Sequence, residues 1–409
     1  MIKSIEISQL CVGMYVHSLP GGWTAHPFLR NRFLITNRAE IAKIVDAGFT
    51  HLEIDVAKGC DIVAVTPALV EETEAVSDAA PPEVALTPVS SRAGTASLSD
   101  ELGRARALIA QASRLVQDLA QDVRLGKVIQ LDRVEPAVEG IVDSITRNPN
   151  ALLVLLQLKK KDDYTFLHSV SVCALLVAFC RFMGMPGEVT YQAGLGGLLH
   201  DIGKAEVPDA ILNKPGRLTP EEFEVIKAHP KDGHAILARV AGLSSIALDI
   251  TLRHHERCDG NGYPEGLSGP EISDLAKMAA VVDVYDAITS ERCYHQGMPP
   301  AQALSRMLEW SKTQLSDEHV RAFIRCIGIF PSGSLVRLAS GRLGVVTAQN
   351  PNNLLAPVVN VFFHTRSNTY IPPEQVDLSA PGIAERERIV CAECPDTWRV
   401  DPHRFLEIG

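Results

Sequence analysis

The stretch Arg253 to Pro264 reads Arg-His-His-Glu-Arg-Cys-Asp-Gly-Asn-Gly-Tyr-Pro. Each of the adjacent imidazoles at His254 and His255 can offer a nitrogen lone pair to a metal. Further residues of ligand type follow the same logic at His168, His200-Asp201, His229 and Asp283. One structural zinc wants three or four ligands. Five or six imidazoles with two carboxylates are too many for one ion and suit two. An aspartate shared between two ions bridges them at about 3.5–4 Å, the separation used in two-metal phosphoester chemistry. Mixed imidazole and carboxylate shells accept Fe, Mn, Ni, Co or Zn, and sequence does not choose among them. Any one of these histidines could be a satisfied core residue. The whole set gathered for that reason would be unusual, since polar side chains are seldom buried together without a function.

The elements that must position these groups are helices. His200-Asp201 ends the small, apolar run Ala193-Gly-Leu-Gly-Gly-Leu-Leu199, whose glycines let neighbouring helices approach closely. His229 follows a helix whose start is marked at Thr219-Pro220-Glu221-Glu222, a capping box with proline at the first helical position. His254-His255 closes a helical run from Ile246, and Asp283 lies inside the run Met278–Thr289.

From 134 to 330 the chain reads as helix after helix, an all-helical domain. Ahead of it, residues 1–65 read as a small α/β module. Its strands begin at Ile2 and Met14, a helix spans Thr36 to Val45 with Thr36 capping its start and Gly48 ending it, and a strand runs from Phe49 to Asp55. Residues 66–99 have linker composition, with Pro67, Pro81, Pro82 and Pro88 among Ala, Ser, Thr and Glu. Residues 100–133 read as a connecting helix. Its apolar positions Leu108, Leu115, Leu119 and Val123 would either form a homodimer or pack on their own domain. Residues 331–409 read as a small β appendage, with strands at Ser334–Leu338, Leu343–Thr347 and Pro357–His364. His17, His26 and His51 are isolated and expected to be structural. Cys391-x-x-Cys394 lacks a second pair and is a weak zinc candidate.

The 409 residues carry a formal net charge of −10, which excludes broad non-specific binding to nucleic acid. Nine scattered cysteines and no secretory leader point to a reducing cytoplasm. The apolar runs Ala151–Leu158 and Val170–Phe182 are shorter than the ~20 residues that span a bilayer, so no membrane segment is expected.

The motifs together resemble a known family. His200-Asp201-x-Gly-Lys204 resembles the signature of the HD metal-dependent phosphohydrolases. Asp163-Tyr164-Thr165-x-x-His168, His229-Pro230, His254-His255-Glu256-x-x-Asp259-Gly-x-Gly262-Tyr263-Pro264 and Asp283-x-x-Asp286-Ala are similar to the HD-GYP family, bacterial phosphodiesterases that open cyclic di-GMP. The match spans about 141 to 329. Gly13-Met14-Tyr15-Val16 with Trp23 and Pro27-Phe28 resembles a domain of unknown role often placed ahead of HD-GYP domains.

The resemblance implies an HD-type helical fold and cytoplasmic second-messenger signalling. It also implies two divalent metal ions, Fe or Mn first and Ni, Co or Zn as the other candidates. The implied ligands are His168, His200, Asp201, His229, His254, His255 and Asp283, with Asp201 as the bridge. Some relatives support a third metal with a glutamate where this chain has Tyr164, so two are expected. Lys204 would face the phosphate or protonate a leaving oxygen, Tyr263 would shape the substrate pocket, and Arg292 would pair with a phosphate. Relatives carry Arg or Lys where this chain has His295. The reaction implied is in-line attack of an activated water on one phosphorus of cyclic di-GMP, giving pGpG, with GMP as a further product left open. Other readings are another nucleotide substrate such as cyclic GMP-AMP, or a module that binds the nucleotide or a GGDEF-type cyclase without turnover.

Overall fold

The alternation read at the N-terminus becomes an antiparallel sheet. In the computed structural model the described residues are 2–6, 10, 14–18, 33–35, 41, 44, 51–56, 96–157, 164–214, 216–290, 297–383 and 386–406. The chain divides into two compact units, Met1–Pro67 and Ala68–Gly409. In the first, β1 (Ile2–Glu6), β2 (Tyr15–Ser18), β3 (Phe33–Leu34) and β4 (His51–Asp55) pair in the order β1-β4-β2-β3. Ile5, Met14, Val16, Ile35, Ile44, Leu52 and Ile54 form its core. Most of the Thr36–Val45 helix, the proline-rich stretch 66–95, His26, Trp23, Pro27, Phe28, Arg292 and His295 lie outside the described residues.

The second unit is built on helices. In order these are α1 (Leu98–Arg124), α2 (Leu131–Arg147), α3 (Pro149–Gln157), α4 (Tyr164–Phe182) and α5 (Gly187–Leu199). A 3-10 turn at Ile202–Glu206 and the short α6 (Asp209–Leu212) follow, then α7 (Pro220–Lys227), α8 (His229–Leu237) and α9 (Ser245–Arg253). The series closes with α10 (Asp274–Thr289), α11 (Pro300–Trp310) and α12 (Asp317–Ile327). The capping box at Thr219 forms as its sequence dictates: the Glu222 amide donates to Thr219 Oγ1 at 3.3 Å, and the Thr219 amide donates to Glu222 Oε2 at 2.7 Å. α4 and α10 are apolar nearly all round and sit at the centre, as such helices must. Gly197 on α5 faces α4: a methyl group there would stand 3.1 Å from the Cα of Cys173, so glycine favours this close approach of the two helices.

Of the two settings open to the apolar stripe of α1, packing on its own domain is the one observed. Leu102, Ala105, Ala112, Val116, Leu119 and Val123 are buried within the same core as α2, α3 and α4. The C-terminal strands are likewise not set apart. β5 (Leu335–Leu338), β6 (Arg342–Ala348), β7 (Val358–His364), β8 (Thr369–Asp377) and β9 (Ile389–Ala392) form an antiparallel sheet in the order β8-β7-β6-β5-β9. Leu335, Leu343, Val345, Phe362 and Phe363 belong to the helices' own hydrophobic cluster. The sheet has an apolar face, and a face of that kind is buried wherever a partner face exists. Among the described residues no helix is long and apolar enough to cross a membrane.

One buried ion pair joins α1 to the end of α2. Arg147 donates from Nε to Glu101 Oε2 at 2.9 Å and from its other arm to Oε1 at 2.7 Å, and the Glu101 side chain is fully buried. The Arg147 hydrogen bonds are the main cause that holds the Glu101 carboxyl below its usual range, overcoming burial. A lowered folded pKa means the stabilisation is present above the ordinary glutamate range and is lost as pH falls through the folded value. Arg147→Ala should therefore cost about 3 kcal/mol at neutral pH, because it strands a buried carboxylate. In denaturant titrations the difference from wild type should shrink at acid pH, and a pH-independent difference would contradict the assignment.

Candidate metal centre

Each predicted ligand sits at or near a helix end or on a central helix. His168 is in the first turns of α4. His200 closes α5 and Asp201 follows it, His229 opens α8, His254 closes α9 with His255 next, and Asp283 lies mid-way along α10. All but His255 are buried, and the His255 side chain is 24% exposed. The turn that carries Asp201 is pressed against α8 at Gly203, where a methyl group would stand 2.0 Å from the His229 carbonyl oxygen. That contact fixes the distance between the ligands before and after it.

The tautomers follow from geometry. His200 Nδ1 lies 2.8 Å from the Gly197 carbonyl, His229 Nδ1 2.7 Å from that of Ile226, and His254 Nδ1 2.9 Å from that of Thr251. A carbonyl only accepts, so each Nδ1 carries the proton and each Nε2 keeps its lone pair. His168 Nδ1 is held by Asp286 Oδ2 at 2.7 Å, which turns its Nε2 toward Asp283 Oδ1 at 3.0 Å.

The ligand-type atoms converge in two groups, His168-His200-Asp283 and Asp201-His229-His254-His255. Asp201 lies between them. Its Oδ2 is 3.4 Å from His200 Nε2 and 3.8 Å from His168 Nε2, while its Oδ1 is 3.2 Å from His229 Nε2 and 3.9 Å from His254 Nε2. Asp283 also divides, with Oδ1 toward His168 and Oδ2 3.6 Å from His255 Nδ1. His229 Nε2 and His254 Nε2 stand 3.3 Å apart with their other nitrogens protonated. His200 Nε2 and Asp201 Oδ1 are buried without a hydrogen bond among the described residues. So many electron-rich atoms facing one another without protons is unfavourable unless a cation lies among them. The donor set fits divalent metal.

The electrostatics agree. Burial works against ionisation of Asp201, but Lys204 and the imidazoles of His200 and His229 outweigh it and hold its carboxyl well below the usual range. Asp283 behaves alike: burial opposes ionisation, and His168 and His255 overcome it. Burial, reinforced by the neighbouring imidazoles, drives His254 far below the ordinary histidine value. His255 is pressed by burial to about 3, although Asp283 opposes this. Both rings are thus neutral, the form that binds metal. His168 is the exception: burial lowers its pKa, but hydrogen bonds to Asp283 and Asp286 raise it to about 9, so a cation would have to displace the Nε2 proton that faces Asp283.

The other expected site residues are placed as follows. Lys204 Nζ contacts Asp201 Oδ2 at 2.5 Å. The Tyr263 ring packs on the His255 ring at 4.7 Å between centroids. Arg292 is not among the described residues. Cys391 bonds to Arg337 and Glu393 in the sheet and joins neither metal group.

Two working residues carry no role in the sequence reading. Asp286 orients His168, and Ser290 donates to the same oxygen at 3.3 Å; its spacing of one turn from Asp283 was the available signal. Glu256 is buried and accepts from the amides of Glu265, Gly266 and Leu267 at 2.6, 3.2 and 3.0 Å, fastening the glycine-rich loop behind Tyr263.

Residues 151–320 match a model described as an HD domain, and residues 2–134 match one described as a domain of unknown function (DUF3391). A cyclic di-GMP phosphodiesterase of Pseudomonas aeruginosa is 43% identical over 403 residues, which cover 97% of this chain and 94% of that protein. The chain belongs to the HD-GYP family. Two further relatives align over shorter stretches. A cyclic di-GMP phosphodiesterase of Thermotoga maritima is 39% identical over 40% of this chain and 45% of its own length. A 3'3'-cGAMP-specific phosphodiesterase of Vibrio cholerae is 36% identical over 38% of this chain and 36% of its own length.

Asp286→Asn keeps the shape of the side chain and removes the negative charge behind His168. Loss of such a supporting carboxylate should weaken metal binding roughly 10–100-fold, read by competition with a chelator. Unaltered affinity would show that His168 is oriented without Asp286.

Proposed function

We propose that this HD-GYP protein is a phosphodiesterase that holds two divalent cations and opens cyclic di-GMP to linear pGpG. The single observation that carries the reading is the Asp201 carboxylate, whose two oxygens face two separate ligand groups. His168, His200, Asp283 and Asp201 Oδ2 would hold one cation; His229, His254, His255 and Asp201 Oδ1 would hold the other, with Fe or Mn the first candidates. Cations held there would neutralise charge on a phosphoryl group and lower the pKa of an attacking water.

The chain's own residues supply the rest. The P–O3′ bond of one phosphodiester breaks as a bond from the water oxygen to phosphorus forms, and the 3′-oxygen leaves with a proton. Lys204 carries an ammonium at the rim of the metal set, its side chain 26% exposed, and can donate to a non-bridging oxygen or to the departing 3′-oxygen. Tyr263 stays a neutral phenol, because burial, and then the charges of Asp283 and Asp201, push its pKa up. It therefore offers an O–H donor and an aromatic face beside the metals. Arg292 would add a forked donor for phosphate.

A second substrate has a specific ground: a relative 36% identical over 157 residues is a 3'3'-cGAMP-specific phosphodiesterase. Metal-loaded protein should be incubated with each dinucleotide and the products separated by chromatography. We expect pGpG from cyclic di-GMP, faster than any product from 3'3'-cGAMP. Asp201→Asn should lower that turnover by at least about 100-fold, the scale for losing one preorganised charge-stabilising group. Wild-type turnover in this variant would refute the assignment, and preferential cleavage of 3'3'-cGAMP would move the substrate to that nucleotide.

A further inference from the structure

A row of side chains runs outward from the metal centre beyond any residue with a role so far. His255 packs on Tyr263. Tyr263 is also met by Lys227, the last residue of α7, with Nζ 5.8 Å from the Tyr263 ring centroid. The same ammonium lies 5.5 Å from the ring centroid of Phe223, one turn earlier on the helix. α7 buries none of its residues, and Phe223 is 46% exposed. One exposed phenylalanine needs no explanation. Here the ring shares the Lys227 ammonium with Tyr263, which itself packs on the candidate metal ligand His255.

Resting on the cyclic-dinucleotide reading of the site, we propose that Phe223 and Lys227 form a subsite for one guanine base of the substrate. The phosphate binds at the metals and fixes the sugar, so a base must project away from them, and the row supplies what a guanine needs. An exposed aromatic face takes a base by stacking, whichever base it is. Lys227 adds selectivity. Guanine presents two acceptors, O6 and N7, on one edge, and an ammonium satisfies both, whereas adenine puts an amino donor in place of O6. Glu224 pairs with Lys227 at 2.6 Å and steadies the ammonium without using all three of its donors. Phe223 thus contributes affinity for any purine, and Lys227 contributes the choice of guanine.

The two roles give different kinetic signatures on the metal-loaded full chain. Cyclic di-GMP is the substrate and cyclic di-AMP the competitive inhibitor. In Lys227→Met the ratio of the cyclic di-AMP Ki to the cyclic di-GMP KM should fall about 10-fold, the scale of one good base-edge contact. Lys227→Arg, which offers the same acceptors a donor pair, should restore most of it. In Phe223→Ala both constants should rise together by about 5–10-fold, as expected for lost stacking, with their ratio kept. Phe223 is exposed, so this substitution leaves the core intact. A ratio unchanged in Lys227→Met, in a protein whose wild type cleaves cyclic di-GMP, overturns the subsite and leaves the phosphodiesterase reading standing. A wild type that cleaves no cyclic dinucleotide overturns both.

Discussion

The buried carboxylate of Asp201 is the constraint on which the rest of the site depends. It presents one oxygen to each of two groups of ligand atoms, and every neighbour must be placed so that both oxygens are used. That demand explains why His200, His229 and His254 sit at helix ends. The last turn of a helix has carbonyls with no partner inside the helix. Three imidazoles use such carbonyls to fix their Nδ1 protons, which leaves Nε2 aimed at the centre. One geometric device therefore satisfies the helix end and prepares the ligand.

The surrounding helices are arranged to make that convergence rigid. α4 and α10 are buried on nearly all sides and carry His168 and Asp283, with Asp286 locking the two together. The missing side chain at Gly197 eases the approach of α5 to α4, and the Asp201 turn meets α8 this closely only because Gly203 has none. α1 closes the other side of this turn. Leu119 and Val123 share a core with Ile202 and Ala205, and Arg124 donates to the Ala205 carbonyl and to Asp209. α1 begins inside the stretch matched by the domain of unknown function and packs directly behind Lys204. The C-terminal sheet extends the same core, so metal turn, helices and sheet are stabilised by one continuous hydrophobic cluster.

The candidate site was legible in the sequence to the extent that its chemistry is local to residue type. Histidines and aspartates announce themselves, and the glycines beside His200 and the capping box before His229 gave their helical settings. What sequence did not show were contacts made to backbone or across long separations. Glu256 works by accepting amide protons nine to eleven residues away, which no side-chain pattern encodes. α1 showed an apolar stripe, but a stripe does not name its partner, and here the partner is the chain's own core. In the sheet, β8 hid because Pro372 and Pro373 interrupt its alternation. It lies at the sheet's edge, the place where proline is tolerated. That Phe223 and Tyr263 share the Lys227 ammonium was likewise invisible, since the two rings are forty residues apart in the chain.

The central claim is that one carboxylate is shared by two cations, and metal stoichiometry tests it most directly. Protein purified without oxygen should be analysed for its elements, then stripped and reloaded stepwise while cyclic di-GMP hydrolysis is followed on the same sample. The account predicts two equivalents of divalent metal per chain and turnover that appears only as the second is filled. Full turnover with a single equivalent bound would contradict it.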